Sequence, residues 1–366
     1  MPLNRVKSPN KSAIIIGVTG QDGSYLSELL LSEGYGVMGV KRRSSTDNSV
    51  RLTGVMNDPN FHLVEGDITD YASLSGVFFQ ATQVFGGAPH EVYNLAAQSH
   101  VGSSFNQPLA TWDSTANGVI NLLEVMRQDQ YIGSTRLYQA STSEMFGDNF
   151  QERLLNRDIV IGGGPCPQEY EKVQHELTSF NPRSPYAVAK VAAHNAVNLY
   201  RDAYGLFGSC GILFNHESPR RGEEFVTRKI SLYVARLHAA RRGFDGVEMS
   251  KLQLGNLDAK RDWGHARDYV RAMWMMLQQD TPDDFVVATG ESHSVREFCE
   301  AAFNCVHLDY KDWVEVNPDF VRPSEVPHLQ GVATKANQQL GWEPQVTFGE
   351  LVEDMVRADI ALVAKG

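Results

Sequence analysis

The sequence predicts an α/β protein: a doubly wound parallel sheet, Rossmann-like, with a smaller C-terminal α/β cap. Three observations predict it. An apolar, β-branched run ends in glycine near the start of the chain, at Ala13 to Val18. Glycines follow at GxxGxxG spacing, Gly17, Gly20 and Gly23. Short apolar runs then alternate with helical intervals, a pattern that builds a parallel sheet covered on both faces.

Ala13-Ile14-Ile15-Ile16-Gly17-Val18 has the continuous apolar character of a strand buried on both sides. Leu26, Leu29 and Leu30 recur at helical spacing, and Gly34 offers a C-terminal stop. Val37–Val40 reads as the second strand and Phe61–Val64 as the third; Glu91–Leu95 and Arg136–Ala140 continue the series. The expected dinucleotide-binding domain covers 1–210. From Gly211 on, Pro219, Pro282, Pro318, Pro323 and Pro327 punctuate a more loop-rich stretch. It reads as a substrate-holding cap over 211–264 and 291–366, with a helix at Asp268–Leu277 and a strand at Phe285–Ala288 returning to the sheet. Asp148–Phe180, which carries Gly162-Gly163-Gly164-Pro165-Cys166-Pro167, reads as one long polar loop.

With 366 residues, 42% of them hydrophobic, the chain can bury a large core in one large domain or two intimate ones. A net charge of −11 argues against nucleic acid or an anionic membrane as partner. The four cysteines, Cys166, Cys210, Cys299 and Cys305, show no CxxC and no metal-ligand spacing, as expected of reduced thiols. The amino-terminal residues are polar, and no run approaches the roughly 18 apolar residues of a membrane span. The expectation is a cytoplasmic protein without a metal.

Gly17, Thr19, Gly20, Gln21, Asp22 and Gly23 lie between the first strand and the first helix. There the glycines permit a tight turn, and free helix amides favour a pyrophosphate. Where an NAD site usually carries an acidic residue after its second strand, this chain has Lys41, Arg42, Arg43, Ser44 and Ser45. Such a loop suits a 2′-phosphate and so NADP, its alternative being an ordinary solvated basic loop. Asp67, followed by Ile68, falls where adenine would be contacted.

Tyr186 and Lys190 stand four residues apart on one helical face. A nearby ammonium favours the phenolate, making Tyr186 the expected base toward a sugar hydroxyl. Thr142, Ser143 and Glu144 close the strand that precedes this helix. An alcohol oxidation needs one base; a reaction that also removes a carbon-bound proton needs two. Glu144 is the candidate for the second, with a helix-cap or surface carboxylate as the plainer reading.

The strings GVTGQDGSYL, KRRSS, EVYNLAAQSHV, QASTSEMFG, PRSPYAVAK, GILFNHESPRRGE and LGNLDAKRDWGHARDYV, with FVTRKI, RPSEV and LGWEP, are the basis of a resemblance. From about Ala13 to the C-terminal region, the sequence resembles the GDP-mannose 4,6-dehydratase family of extended short-chain dehydrogenases/reductases. The resemblance implies conversion of GDP-D-mannose to GDP-4-dehydro-6-deoxy-D-mannose, with bound NADP returned to its starting state. It implies that Tyr186 and Lys190 serve carbon 4, that Glu144 removes the carbon 5 proton, and that Thr142 and Ser143 assist. Leu95, Ala96, Ala97, Gln98 and Ser99 would line the nicotinamide side, and His216 and Arg221 would contact cofactor. Asn215, Lys229, Arg261, Arg322 and Glu325 would hold the nucleotide. For Arg261, flanked by Asp262 and Trp263, a structural ion pair is the competing role.

Ala96 stands where the family usually has Gly, and Ala110 where it has a cofactor-contacting Tyr. The 148–180 stretch is longer than its counterpart, and RPSEVPHLQGVATKA departs from the usual acidic-and-glycine pattern. The resemblance further implies a homo-oligomer, dimer or tetramer, with Arg42, Arg43 and Arg183 near a neighbouring subunit. The rival readings are a nucleotide-sugar 4-epimerase, a 4-keto reductase, or an inactive NADP-sensing protein on the same fold.

Overall fold

The computed structural model describes residues 11–45, 48–154, 170–243, 250–320, 324 and 326–365. Arg322, Glu325 and Cys166 lie outside them. The first half is a regular alternation: β1 (Lys11–Ile16), α1 (Gln21–Ser32), β2 (Tyr35–Lys41), β3 (Phe61–Glu65), α2 (Tyr71–Phe85) and β4 (Glu91–Asn94). Two short helices, α3 (Val101–Asn106) and α4 (Pro108–Trp112), lead into α5 (Gly118–Gln128) and β5 (Arg136–Thr142). A hairpin of β6 (Gln151–Leu154) and β7 (Tyr170–Val173) precedes the long helix α6 (Pro185–Tyr204) and β8 (Gly208–Leu213). After these come β9 (Asn215–Glu217), α7 (Val226–Arg241), β10 (Leu252–Leu254), β11 (Lys260–Arg261), β12 (Trp263–His265), α8 (Ala266–Met276) and β13 (Phe285–Val287). The chain finishes with β14 (His293–Ser294), α9 (Val295–Asn304), β15 (Val314–Val316), β16 (His328–Leu329) and α10 (Phe348–Val363).

Seven parallel strands form the main sheet in the order β13-β8-β5-β4-β1-β2-β3. The order reverses between β1 and β4, so a crevice opens past their carboxyl ends, the place where open α/β sheets bind ligands. The sheet continues past residue 210 through β8, and α8 and β13 return to it as the sequence pattern predicts.

Period-two alternation explains the layers. Ala13 and Ile15 face a core shared with α1 and α8, among Leu26, Leu30, Val270 and Met273. Ile14 and Ile16 face the other way, toward Leu74, Phe78, Leu122 and Val197 of α2, α5 and α6. Each such aliphatic side chain, fully buried, contributes about 1.5–3 kcal/mol.

The later helices α7, α9 and α10 build a separate core around Val234, Phe298, Phe303 and Met355. There Arg228 and Asp359 form a buried ion pair at 2.7 Å, and Ser231 donates to the same carboxylate at 2.7 Å.

The stretch read as a long loop is partly ordered by distant chain. Gln174 donates its backbone N–H to the Gln330 carbonyl at 2.9 Å, and Gln330 donates to the Gln174 side chain at 2.9 Å. The ends of the segment thus pair with each other and with residues about 155 positions away.

Candidate active site

The turn from β1 to α1 is shaped by two glycines that nothing larger can replace. Gly17 has φ +87°, and a Cβ there would lie 3.0 Å from the Ala96 amide nitrogen. A Cβ on Gly23 would fall 2.6 Å from both the Gly17 carbonyl oxygen and the Val18 Cα. The turn is therefore tight enough to bring backbone amides and the N-terminus of α1 to the crevice. Gly17, Thr19, Gly20, Gln21, Asp22 and Gly23 all line it.

The crevice holds a cavity of about 1440 Å³. Single small-molecule sites run to roughly 300–1,000 Å³, so there is room for a dinucleotide and a second large ligand together. Among the described residues, Arg42, Lys190, Arg221, Lys229 and Arg261 line it beside the carboxylates Asp22, Asp67, Asp113, Glu144, Glu217 and Glu224. The arginines and lysines among them offer the charge-assisted contacts a phosphate takes.

The two long-range motifs meet here. Thr142 ends β5, and Ser143–Met145 forms a single 3₁₀ turn capped by the Thr142 hydroxyl, which accepts from the Glu144 N–H at 3.3 Å. Ser184 caps α6 through the Ala187 N–H, and Pro185 occupies its first turn. That start sets Tyr186 and Lys190 on the buried face of α6. Thr142, Ser143, Glu144, Tyr186 and Lys190 all line the cavity.

One electrostatic expectation changes. Lys190 donates to the Ala140 carbonyl at 2.7 Å, and its nitrogen stands 5.8 Å from the centre of the Tyr186 ring. Burial dominates both groups. It pushes the Tyr186 phenol well up, against the pull of its hydrogen bond with Thr142, while the Glu144 charge adds to the rise. It brings Lys190 down to about 8. In the protein alone, desolvation outweighs the cation, so the phenol keeps its proton.

Also on the lining, His216 Nε2 lies 2.8 Å from Asp22 Oδ2, and His216 Nδ1 lies 2.7 Å from the Phe214 carbonyl. Its ring stacks on Tyr269 with centres 4.5 Å apart. Both ring nitrogens are thus engaged within the protein. Arg221 lies over the Phe225 ring at 3.6 Å and 3.0 Å from a Glu217 oxygen.

Leu95, Ala96, Ala97, Gln98 and Ser99 follow β4 along the cavity rim. Gln98 Oε1 is buried without a hydrogen-bond partner among the described residues. An orphaned acceptor of this kind suits an amide or hydroxyl donor from a bound group. Asp67, Ile68 and Ala110 also line the cavity. Of the basic loop, Arg42 lines the cavity, whereas Arg43, Ser44 and Ser45 are exposed beyond it.

On the cap side, Asn215, Lys229 and Arg261 line the cavity. The neighbouring carboxylate of Asp262 is spent elsewhere. Asp262 is fully buried and accepts from the Thr289 N–H and hydroxyl at 2.8 and 2.7 Å, from Gly290 N–H at 2.9 Å and from Gly331 N–H at 3.2 Å. Its carboxylate is consumed by these donors, not by its neighbour. Sequence reasoning missed Trp263, Gln253, Asn256 and Phe320, which also line the cavity. Asn256 and Trp263 sit inside one of the quoted strings and Gln253 directly before it, whereas Phe320 comes from a separate segment that carries no motif.

A glycine-cradled strand–turn–helix facing a buried Tyr-x3-Lys pair defines the class as an enzyme of the short-chain dehydrogenase/reductase type. The comparisons narrow it. A family model described as GDP-mannose 4,6 dehydratase matches residues 14–158 and 166–355. The chain is 47% identical to GDP-mannose 4,6 dehydratase 2 of Arabidopsis thaliana, over 98% of this chain and 90% of that one. It is 45% identical to the Drosophila melanogaster GDP-mannose 4,6 dehydratase (98% and 88%) and 44% identical to the Homo sapiens protein (97% and 93%). Among solved structures, the fold is similar to dTDP-glucose 4,6-dehydratase from Streptomyces venezuelae with NAD and TYD bound. The TM-score is 0.76 at 22% identity, over 95% of this chain and 96% of that one. It is likewise similar to UDP-glucose 4-epimerase from Thermus thermophilus in complex with NAD, at TM-score 0.75 and 22% identity, over 95% and 98%. This chain belongs to the GDP-mannose 4,6-dehydratase family.

Proposed function

We propose that this enzyme converts GDP-D-mannose to GDP-4-dehydro-6-deoxy-D-mannose and water, with NADP as a nicotinamide cofactor that is regenerated in each cycle. The observation that carries the reading is the placing of two candidate bases, Tyr186 and Glu144, on one cavity wall beside Thr142.

When bound, oxidised NADP supplies a reversible hydride acceptor and a positive charge that lowers the Tyr186 pKa. Tyr186 then takes the proton of the carbon 4 hydroxyl, while Thr142 hydrogen-bonds the same oxygen. Lys190 steadies this end of the site through Ala140. Oxidation at carbon 4 acidifies carbon 5, and Glu144 removes that proton and passes it to the departing carbon 6 hydroxyl. Water would leave, the bound cofactor would supply the reducing equivalent that carbon 6 needs, and the proton first taken by Tyr186 would balance the one restored to carbon 5. Ser143, next to both groups, assists these transfers.

Arg42 supports the choice of NADP, since it is the basic-loop residue that lines the cavity. Asn215, Lys229 and Arg261 suit the diphosphate and ribose of the nucleotide, with Arg322 and Glu325 carried over from the family motif. The enzyme is expected in the cytoplasm as a homo-oligomer.

The test is the mass of the sugar nucleotide after incubating the protein with GDP-mannose and catalytic NADP. Loss of one water with no net NADPH is the expected result. An unchanged mass would indicate epimerisation or a different substrate.

A further inference from the structure

The buried face of α6 that carries the catalytic pair does not end at Lys190. Tyr186, Lys190, His194 and Asn198 recur every four residues, and Arg201 follows three later, so one stripe of polar side chains runs down a helix face toward the sheet. Tyr186, Lys190 and His194 are each less than a tenth exposed. Polar groups so deep cost free energy unless each is satisfied. Here they are satisfied by two consecutive residues of the catalytic strand. Lys190 donates to the Ala140 carbonyl at 2.7 Å, and His194 Nδ1 lies 3.0 Å from the Ser141 hydroxyl.

The far side of the imidazole is also held. Asn198 Nδ2 lies 3.3 Å from His194 Nε2 and donates to Asp284 at 3.0 Å, while Asp284 Oδ2 stands 3.5 Å from His194 Nε2. Asp284 is fixed in turn. It accepts from Arg201 at 2.6 Å and from the Cys210 N–H of β8 at 3.1 Å. Phe180 closes the pocket edge-on, 5.2 Å from the ring centre. Burial keeps the imidazole neutral, with one donor and one acceptor to spend. Packing alone would be served as well by an aromatic hydrocarbon of the same size. The two polar contacts are what an imidazole adds.

We infer that His194 is a positioning residue: through Ser141 it fixes the end of β5, and with it Thr142 to Glu144, against the helix that carries Tyr186 and Lys190. The inference rests on the roles given above to Tyr186 and Glu144. The two bases stand on different elements, and their separation is set by how β5 seats on α6. Lys190 anchors residue 140 and His194 anchors residue 141, so Thr142 begins directly after a doubly pinned segment.

The test compares His194→Phe, His194→Gln and Ser141→Ala with the wild type and with Tyr186→Phe, using GDP-mannose and NADP. His194→Phe is expected to lower kcat by up to about 100-fold, the loss that a small misplacement of catalytic groups produces. KM and NADP affinity are expected to stay near wild-type values, while the melting temperature falls by a few degrees because the Ser141 hydroxyl is left buried without its partner. His194→Gln, which keeps a hydrogen bond, should recover most of the lost kcat. Ser141→Ala removes the His194–Ser141 contact alone and should lower kcat to a similar extent, and the double variant should be no worse than His194→Phe, because both singles lose that shared contact. Wild-type kcat in His194→Phe would overturn the inference. So would a kcat loss that tracks lost NADP binding or thermal stability without recovery in His194→Gln, or strictly additive losses in the double variant. Tyr186→Phe separates the two readings. If it retains turnover, the assignment of the catalytic pair fails; if it is dead while His194→Phe is unaffected, only the positioning role fails.

Discussion

His216 and Asp22 meet at 2.8 Å on the cavity wall and so join β9 to the first turn of α1. Burial opposes charge on both, yet each outcome favours the ion pair: His216 is held above its ordinary value of 6.5 and Asp22 below 3.8. Each partner is the other's main source of compensation. The sign for His216 is set by its raised pKa, which gives stability that is complete below 6.5 and is lost as pH rises through the folded value. Asp22, depressed, gives stability that is complete above 3.8 and is lost as pH falls through its folded value. The pair is therefore at full strength between about pH 4 and 6.5. Asp22→Asn should lower stability by about 1.5–3 kcal/mol in that window, and by less at pH 9. Melting temperatures of both proteins at pH 5.5 and 9 check this. An equal difference at the two pH values would mean the pair is not ionic.

Glu144 lies on the 3₁₀ turn held by the Thr142 hydroxyl, near enough for its charge to act on Tyr186. Glu144→Gln keeps the shape of the turn and removes the base. Dehydration should fall by about 10²–10⁴-fold, the usual contribution of a positioned general base. Oxidation at carbon 4 should survive, so a single turnover should show NADPH absorbance that forms and persists. If water loss continues at the wild-type rate, Glu144 has no part in it.

The basic loop divides into one residue at the cavity and others beyond it. Arg42 lines the site, while Arg43 is exposed outside it. Arg42→Ala should weaken NADP about 10- to 150-fold, the worth of a charge-assisted phosphate contact of about 1.5–3 kcal/mol. NAD affinity should change far less, and Arg43→Ala should affect monomer binding little. Titrations of both dinucleotides against the two variants measure the contrast. Equal losses for NAD and NADP would dissociate Arg42 from the 2′-phosphate.

The local parts of this molecule were legible because local physics decides them. Continuous apolar runs gave β1, β2, β3, β4 and β5 to within two residues or so, and the glycine spacing located the turn at Gly17. Tyr186 and Lys190 were readable as a helical pair. What escaped depends on distant chain. The hairpin of β6 and β7 carries no alternating pattern, and Gln174, just after it, pairs with Gln330, far off in sequence. The Asp262 carboxylate goes to Thr289, Gly290 and Gly331, which no neighbour of Arg261 announces. The phenol of Tyr186 was expected to be acidified by Lys190. Burial, a property of the whole fold, reverses that in the protein alone.

Lys190 supplies a last prediction, in which activity and stability move in opposite directions. Burial brings its pKa from 10.5 down to about 8. The unfolded chain keeps the lysine protonated up to about 10.5, so between pH 8 and 10.5 unfolding takes up a proton and stability rises with pH. The full swing is on the order of 3 kcal/mol. Catalysis runs the other way, since a neutral amine offers no charge to the oxidation step at Tyr186. The pH profile of kcat/KM reports groups of the free enzyme, so it should fall above about pH 8. Lys190→Met should lose most of its activity, lack that alkaline limb in the residual rate, and gain nothing in stability between pH 8 and 10 from this source. The paired measurement is kcat/KM and melting temperature across pH 6.5 to 10 in both proteins. An alkaline limb that persists in Lys190→Met would assign it to another group, and a wild-type melting temperature that rises no more steeply than the variant's would show that Lys190 is not strained by its burial.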